Sequence, residues 1–321
     1  MNYQVLYNPH AGNERGLEGT QKLSHHLPGD VLVHTDITAI DDYAAFFAAL
    51  PAEDRILISG GDGTLNRFIN DTAGLDIRHD IYYFPAGSGN DFWKDLNRKP
   101  GDAPVCINEY LKDLPKVEIQ GRTYAFLNGI GYGIDGYCCE KGDEHRQKSR
   151  RRVNYTAIAL RGLLGDFKPV NAAVTVDGIR RTYQRVWLAP TMHGRFFGGG
   201  MMPTPAQNRT AFPRKLSVMV AHSLTALKAL SLFPTMFKGE HVRYTQVVEM
   251  MTGQDITVEF DRPTPLQVDG ETVRGVTSYH AVAASRPAAA VCVETSYNFV
   301  DETFRRRFIE TGGALFERLE K

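Results

Sequence analysis

The chain has 321 residues, 42% of them hydrophobic, 10% aromatic and 23% charged, a balance that suits a folded protein of about two domains at roughly 150 residues each. It excludes disorder, collagen-like repeats and a small disulfide scaffold as descriptions of the whole. Lys plus Arg and Asp plus Glu both number 37, so no global charge favours nucleic acid, and attraction to an anionic surface has to come from a local patch.

Tyr3–Tyr7, Val31–His34, Arg55–Ile58 and Ile81–Phe84 are short apolar runs, each ended by Gly, Pro, Asn or Asp, as buried strands are. Between them Leu17–His26, Ile40–Leu50 and Leu65–Asn70 carry helical spacing, with Tyr43, Phe46, Phe47 and Leu50 on one face. This alternation predicts an α/β domain with a parallel, doubly wound sheet over residues 1–117. Beyond residue 115 the period shortens towards two. Ala173–Val176 and Ile179–Trp187 flank Asp177-Gly178, a pair that accepts the positive φ angles of a tight hairpin. Leu216–Ala221, Val242–Met250, Ile256–Phe260, Leu266–Val268 and Tyr279–Ala283 continue as strands, interrupted by helical Val153–Leu164 and Ser223–Phe237. An antiparallel, β-sandwich-like second domain is therefore expected over 118–295, with a hinge near Lys116–Gln120. The amphipathic tail, with Phe304, Phe308, Leu315 and Leu319 on one side, is expected to return over 296–321 and complete the first domain.

Cys106, Cys138, Cys139 and Cys292 form no C-x-x-C pair, which argues against zinc and for reduced thiols in a cytoplasm. The opening MNYQVLYNPHAG lacks the layout of a signal peptide. No apolar run approaches the roughly 18 residues that span a bilayer. The expectation is a cytoplasmic protein able to touch the inner membrane face.

The strongest local signal is Ser59-Gly60-Gly61-Asp62-Gly63-Thr64-Leu65-Asn66, directly after a strand. Its glycines let the backbone approach a ligand, and the helix that follows points its positive end at the same place. Pro85-Ala86-Gly87-Ser88-Gly89-Asn90-Asp91-Phe92 follows the next strand in the same way, and Asn8-Pro9-His10-Ala11-Gly12-Asn13 follows the first. Loops at the carboxyl ends of parallel strands share one rim, so the three together suit a polyphosphate with magnesium. Neither a Walker motif nor G-x-G-x-x-G at the first turn is present. Val268-Asp269-Gly270-Glu271 reads alone as a hairpin turn. It gains meaning only if the second domain folds over the rim, where a carboxylate could take a proton from an attacking hydroxyl.

GGDGTLN and PAGSGNDF, in this order and spacing, with the late DGE, resemble the diacylglycerol kinase catalytic-domain family of soluble bacterial lipid kinases. The likeness runs through nearly the whole chain, including Gly198-Gly199-Gly200-Met201 and Lys238-Gly239-Glu240-His241. It implies a nucleotide domain and a β-sandwich-like domain with the active cleft between them. It implies ATP held by Asn8, Gly12, Thr35, Gly60, Gly61, Gly63, Thr64, Asn66, Gly87, Ser88 and Asn90. Asp62 and Asp91 would act at the nucleotide and its Mg2+, Glu271 would be the general base with Asp269 beside it in the acidic turn, and Glu118 would support the cleft where relatives carry Asp.

One departure is larger. Relatives often carry a P-x-A-x-x-D-D-G-like segment whose acidic turn holds a structural magnesium, whereas Pro205–Arg214 here has no carboxylate. That metal site is expected to be absent. Arg146, Lys148, Arg150, Arg151 and Arg152 form a basic run before a helix, either a solvated surface or a peripheral foot on anionic lipid. Phe196-Phe197 and Met201-Met202 are candidates for an acyl pocket or for plain core.

The function expected is transfer of the ATP γ-phosphate to a lipid hydroxyl, with diacylglycerol the leading acceptor and phosphatidic acid the product. The rivals are an NAD kinase-like enzyme, disfavoured by PAGSGNDF, and a non-catalytic nucleotide- or lipid-binding regulator. The identity of the lipid stays open, as does oligomeric state, a homodimer included.

Overall fold

The computed structural model describes residues 1–11, 16–87, 89–148 and 155–284. The tail expected to complete the first domain lies outside the described residues.

The first sheet holds β1 (Asn2–Tyr7), β2 (Val31–Asp36), β3 (Arg55–Gly60), β4 (Ile81–Pro85) and β5 (Val105–Cys106) in the order β2-β1-β3-β4-β5. The first four run parallel, and β5 adds an antiparallel edge. β3 lies between β1 and β4, so Ile56, Leu57 and Ile58 are all fully buried, as an unbroken apolar run requires when helices cover both faces. The helical stretch predicted over 17–26 is two short pieces, α1 (Gly16–Thr20) and α2 (Leu23–His26). The Thr20 hydroxyl donates to the Leu17 carbonyl at 2.6 Å, competing with continuation of the helix. α3 (Tyr43–Ala48) is capped by the Asp42 carboxylate, which accepts from Ala45 N at 2.9 Å. α4 (Asp62–Asp71) follows β3, α5 (Asp91–Asp95) follows β4, and α6 (Asn108–Leu111) follows β5.

The second sheet contains β6 (Lys116–Ile119), β7 (Arg122–Ala125), β8 (Gly129–Tyr132), β9 (Val170–Val176), β10 (Ile179–Val186), β11 (Thr191–Met192), β12 (Leu216–Ala221), β13 (Val248–Gly253), β14 (Asp255–Val268) and β15 (Glu271–Val282). Its main path is β13-β12-β11-β8-β14-β15-β6-β7, and the β9-β10 hairpin joins through β14. All of its named pairings are antiparallel. The Asp177-Gly178 turn has φ of 49° and 83°, the left-handed pair a two-residue hairpin needs.

Several boundaries differ from the sequence pattern. Two predicted strands fuse into β14, and register shifts between Glu259 and Leu266, where Pro263 and Pro265 supply no N–H, absorb the interruption. Residues 242–247 are not strand. Gly239 turns at φ 68°, and buried His241, its Nε2 2.8 Å from the Pro203 carbonyl, holds a helical turn over Glu240–Arg243. α7 (Ile134–Lys148) carries no clear apolar stripe and went unpredicted. It docks through small residues instead: a Cβ on Gly136 would stand 2.0 Å from the Pro265 carbonyl oxygen, and one on Gly142 2.6 Å from the Tyr155 ring. α8 (Tyr155–Arg161) runs into a wide turn over Gly162–Asp166, and α9 (Ala226–Leu232) packs against that turn.

Candidate active site

The rim begins where β3 ends. The first helical bond of α4 runs from Leu65 N to Gly61 O at 3.1 Å, so the N–H groups of Asp62, Gly63 and Thr64 have no intrahelical partner. All three residues, with Asn8, Gly87, Gly89 and Asp91, line one cleft, and Asn128, Gly129, Asp269, Gly270 and Glu271 face it from the second domain. Glycine is required here for the loops to touch each other. A Cβ on Gly87 would lie 2.5 Å from the Gly61 Cα, so any side chain would separate the β3 and β4 loops. Asn90, at φ 51°, holds that approach: its Oδ1 accepts from Gly87 N at 3.1 Å and its Nδ2 donates to Gly87 O at 2.6 Å. Asn8 Nδ2 donates to Thr64 Oγ1 at 2.9 Å, tying in the first loop.

Asp62 caps a helix other than its own. Its carboxylate accepts from Asp91 N at 2.8 Å, Phe92 N at 2.9 Å and Asn128 Nδ2 at 3.2 Å, so one anion fixes the start of α5 and the bend that precedes β8. Asp91 Oδ2 accepts from Gly199 N at 2.7 Å, while its Oδ1 is buried without a hydrogen-bond partner and lies 3.9 Å from Lys94 Nζ. Burial first, and the neighbouring Asp62 second, push the Asp91 carboxyl above the usual carboxylate range. Lys94 Nζ also donates to Gly199 O at 3.0 Å, which clasps the Gly198-Gly199-Gly200 turn, with φ of 61°, 86° and 124°, to the rim.

The acidic turn closes the cleft from the far side. Val268 pairs with Glu271 across Asp269-Gly270, whose φ angles are 47° and 98°. The Asp269 carboxylate is consumed by three backbone donors and one side chain: it accepts from Leu127 N at 2.5 Å, Asn128 N at 2.8 Å, Gly129 N at 2.9 Å and Asn66 Nδ2 at 2.6 Å. With four donors on it, Asp269 holds the turn over the rim and is poorly placed to take a substrate proton, a correction to its expected catalytic role. Glu271, next to it, faces the cleft shared with Asp62 and Asp91.

Other expected residues fall in different places. Gly60 sits inside β3, where a Cβ would meet the Thr64 side chain at 2.5 Å, and Asn66 braces Asp269, so these two and Asn90 shape the rim without lining it. Thr35 is the penultimate residue of β2, an edge strand, and does not line the cleft. Glu118 is exposed on β6, because Val117 and Ile119 take the inward positions of the alternation; it does not support the cleft. Gly12, Ser88, Arg150, Arg151 and Arg152 lie outside the described residues, as does the Arg146 side chain. Lys148 is exposed at the end of α7. In the run 205–214, Arg209 is buried: it pairs with Asp95, donates to Leu127 O and Asn128 Oδ1 at 3.1 Å each, and lies over Phe92. Arg195 joins it on Asp95 at 2.8 Å. A guanidinium thus brings positive charge to the place where an acidic turn was sought.

From the rim the cleft continues into an apolar arm lined by Ile134, Cys138, Tyr155, Ala159, Leu188, Phe197, Met201 and Phe233. Phe197 and Met201, one from each of the candidate pairs Phe196-Phe197 and Met201-Met202, line it. Sequence reasoning missed Asp135 and Gln267, which stand at the junction. Asp135 Oδ2 accepts from Gln267 Nε2 at 2.8 Å, and burial pushes this carboxyl up to about 6 although it keeps a face on the cleft. Gly131 is the signal that could have revealed it, since a Cβ there would collide with the Asp135 carboxylate. α7, a helix the apolar pattern did not disclose, supplies Ile134 and Cys138 to the arm.

Residues 2–118 match the diacylglycerol kinase catalytic domain, and residues 128–290 match the YegS C-terminal NAD kinase beta sandwich-like domain. Diacylglycerol kinase of Mycobacterium tuberculosis is 28% identical over 207 residues, 62% of this chain, and the match spans 65% of that relative's length. Diacylglycerol kinase of Bacillus subtilis is 24% identical over 281 residues, 84% of this chain and 89% of its own. A crystal structure of a diacylglycerol kinase from Bacillus anthracis superposes with a TM-score of 0.52 at 18% identity, covering 88% of this chain and 94% of that one, a likeness of fold. With both family matches in chain order, and the glycine-lined rim and acidic turn opposed across one cleft, the chain belongs to the diacylglycerol kinase catalytic-domain family.

Proposed function

We propose that the chain is an ATP-dependent lipid kinase that moves the γ-phosphoryl group to a lipid hydroxyl, with diacylglycerol as acceptor and phosphatidic acid as product. One observation carries this reading: polar rim, Glu271 and apolar arm are stretches of a single cleft. The free N–H groups at the start of α4 suit the ATP phosphates. The arm suits acyl chains, and the acceptor hydroxyl then lies at the junction beside Glu271.

In the step itself, the acceptor oxygen attacks the γ-phosphorus, its proton passes to the Glu271 carboxylate, the bond to the β-phosphate oxygen breaks, and ADP leaves. Asp269 acts by position, holding Glu271 over the rim. Residues fit for Mg2+ are present: the buried Asp91 Oδ1 has no hydrogen-bond partner, and Asp62 stands beside it. A hard cation takes one or two carboxylates and fills its shell with phosphate oxygens and water. When bound with ATP it would neutralise charge on the phosphates.

The test is transfer of labelled phosphate from ATP to diacylglycerol, with NAD and a total lipid extract as parallel acceptors. Label in phosphatidic acid, lost in Glu271→Gln, is the expected result. Label in NADP, or ATP binding without transfer to any acceptor, overturns the proposal.

A further inference from the structure

The apolar arm is walled by α8 and by the segment that follows α9, and the same elements expose leucines outside it. Leu160 in α8 is 40% exposed, Leu164 in the wide turn 63%, and Leu227 at the start of α9 71%. Leu160 and Leu164 stand four residues apart, and α9 packs against the turn that carries Leu164, so the three share one side of the molecule. Ala159, the chain neighbour of Leu160, and Phe233, which follows the last residue of α9, line the arm. Arg161, Lys168 and Lys228 are exposed within four residues of these leucines in the chain, as is Asp166, which lies 4.0 Å from Arg161. Grouped exposed leucines beside a lined cleft mark a contact surface.

We infer that Leu160, Leu164 and Leu227, with Arg161, Lys168 and Lys228, dock the protein on an anionic lipid bilayer with the apolar arm opening beside the contact. The inference rests on the lipid-acceptor reading above. Two properties choose the bilayer over a second copy of the chain. A two-fold interface sets the same patch against itself, which would face three cations with three cations, whereas an anionic leaflet attracts each of them. The arm also needs acyl chains delivered from an apolar phase, and leucines dipping into the interface shorten that transfer.

The full-length chain is sedimented with phosphatidylcholine vesicles, with and without about 30 mol% phosphatidylglycerol. The wild type is expected to prefer the anionic vesicles. Leu164→Ser with Leu227→Ser should lower partitioning about tenfold, and Lys168→Glu with Lys228→Glu should erase the anionic preference. Both variants should phosphorylate a dispersed short-chain diacylglycerol at the wild-type rate. Wild-type failure to sediment, with short-chain turnover intact, overturns the docking face and leaves the kinase reading standing. Vesicle binding without turnover of any lipid does the reverse. A leucine variant that binds vesicles normally but changes mass in light scattering, or melts several degrees lower, shows the face covered by a second copy or by the chain itself, and overturns the inference.

Discussion

The two ends of the cleft are held by opposite kinds of force. At the rim, Asp62 and Asp269 accept seven N–H donors between them, several from residues more than sixty positions away. Charge-assisted hydrogen bonds are short and directional, so the groups that would meet the phosphates are fixed against each other. In the arm, Ile134, Ala159, Leu188 and Phe233 offer contacts without preferred direction, and neighbouring side chains can repack around a changed one at modest cost. Under the proposed function, chemistry would belong to the rigid end and acceptor choice to the adaptable one. Substitutions at the rim should cost turnover or stability, and substitutions in the arm should redistribute substrates.

The largest effect is expected for Glu271→Gln, which removes the proton acceptor and should lower kcat about a thousandfold while ATP affinity, read by titration calorimetry, stays within about twofold of wild type. An equal fall in ATP affinity would show that Glu271 serves the rim and not the transfer. Asp269→Asn sets an amide N–H against backbone N–H donors. Urea unfolding should register a loss of about 2–4 kcal/mol, and kcat should fall with it as Glu271 loses its support. An unchanged unfolding midpoint would break the claim that this carboxylate holds the two domains' loops together.

Gly87→Ala places a methyl 2.5 Å from the Gly61 Cα. Forcing the loops apart should weaken ATP binding about tenfold, in keeping with the roughly 1–3 kcal/mol of overpacking, with a smaller effect on acceptor KM. The pH dependence of stability sharpens the same contrast. Because burial and Asp62 raise the Asp91 carboxyl, the folded protein keeps a proton there that the unfolded chain has released. Stability therefore falls as pH rises from about 4, the carboxylate's value in the unfolded chain, through its raised value in the fold. Denaturation across pH 4 to 8 should show that decline in the wild type and a flatter curve in Asp91→Asn. The smallest effect is expected at the other end: Ala159→Leu should shift preference towards shorter acyl chains by a few-fold, about 1 kcal/mol, with ATP affinity untouched.

Much of the architecture was legible because it is local. The runs ending at Tyr7, Ile58 and Phe84 are strands since each is buried on both faces, and Asp177-Gly178 is a hairpin since few other pairs accept two positive φ angles. What escaped were elements whose reason for existing lies elsewhere in the chain. α7 docks through Gly136 and Gly142 rather than an apolar stripe, and short β11 exists because β8 and β12 flank it. For the site, glycine and acid motifs pointed to the right turns but could not separate lining from bracing. Asn66, Asn90 and Asp269 look equally suited to a ligand in sequence, yet Asn66 and Asp269 spend their side chains on distant segments and Asn90 on Gly87 of its own turn.

By itself the sequence determined an α/β unit followed by antiparallel strands, glycine-bearing turns after β3 and β4, an acidic turn far along the chain, and the family that unites them, because periodicity, turn chemistry and motif spacing are written in neighbouring residues. Only the tertiary structure decided that Glu271 shares a cleft with Asp62 and Asp91, that Asp269 is consumed by four N–H donors while Asp91 keeps an oxygen without one, and that Glu118 faces away. A carboxylate's role depends on which donors, charges and solvent surround it, and those are supplied by residues tens to hundreds of positions away.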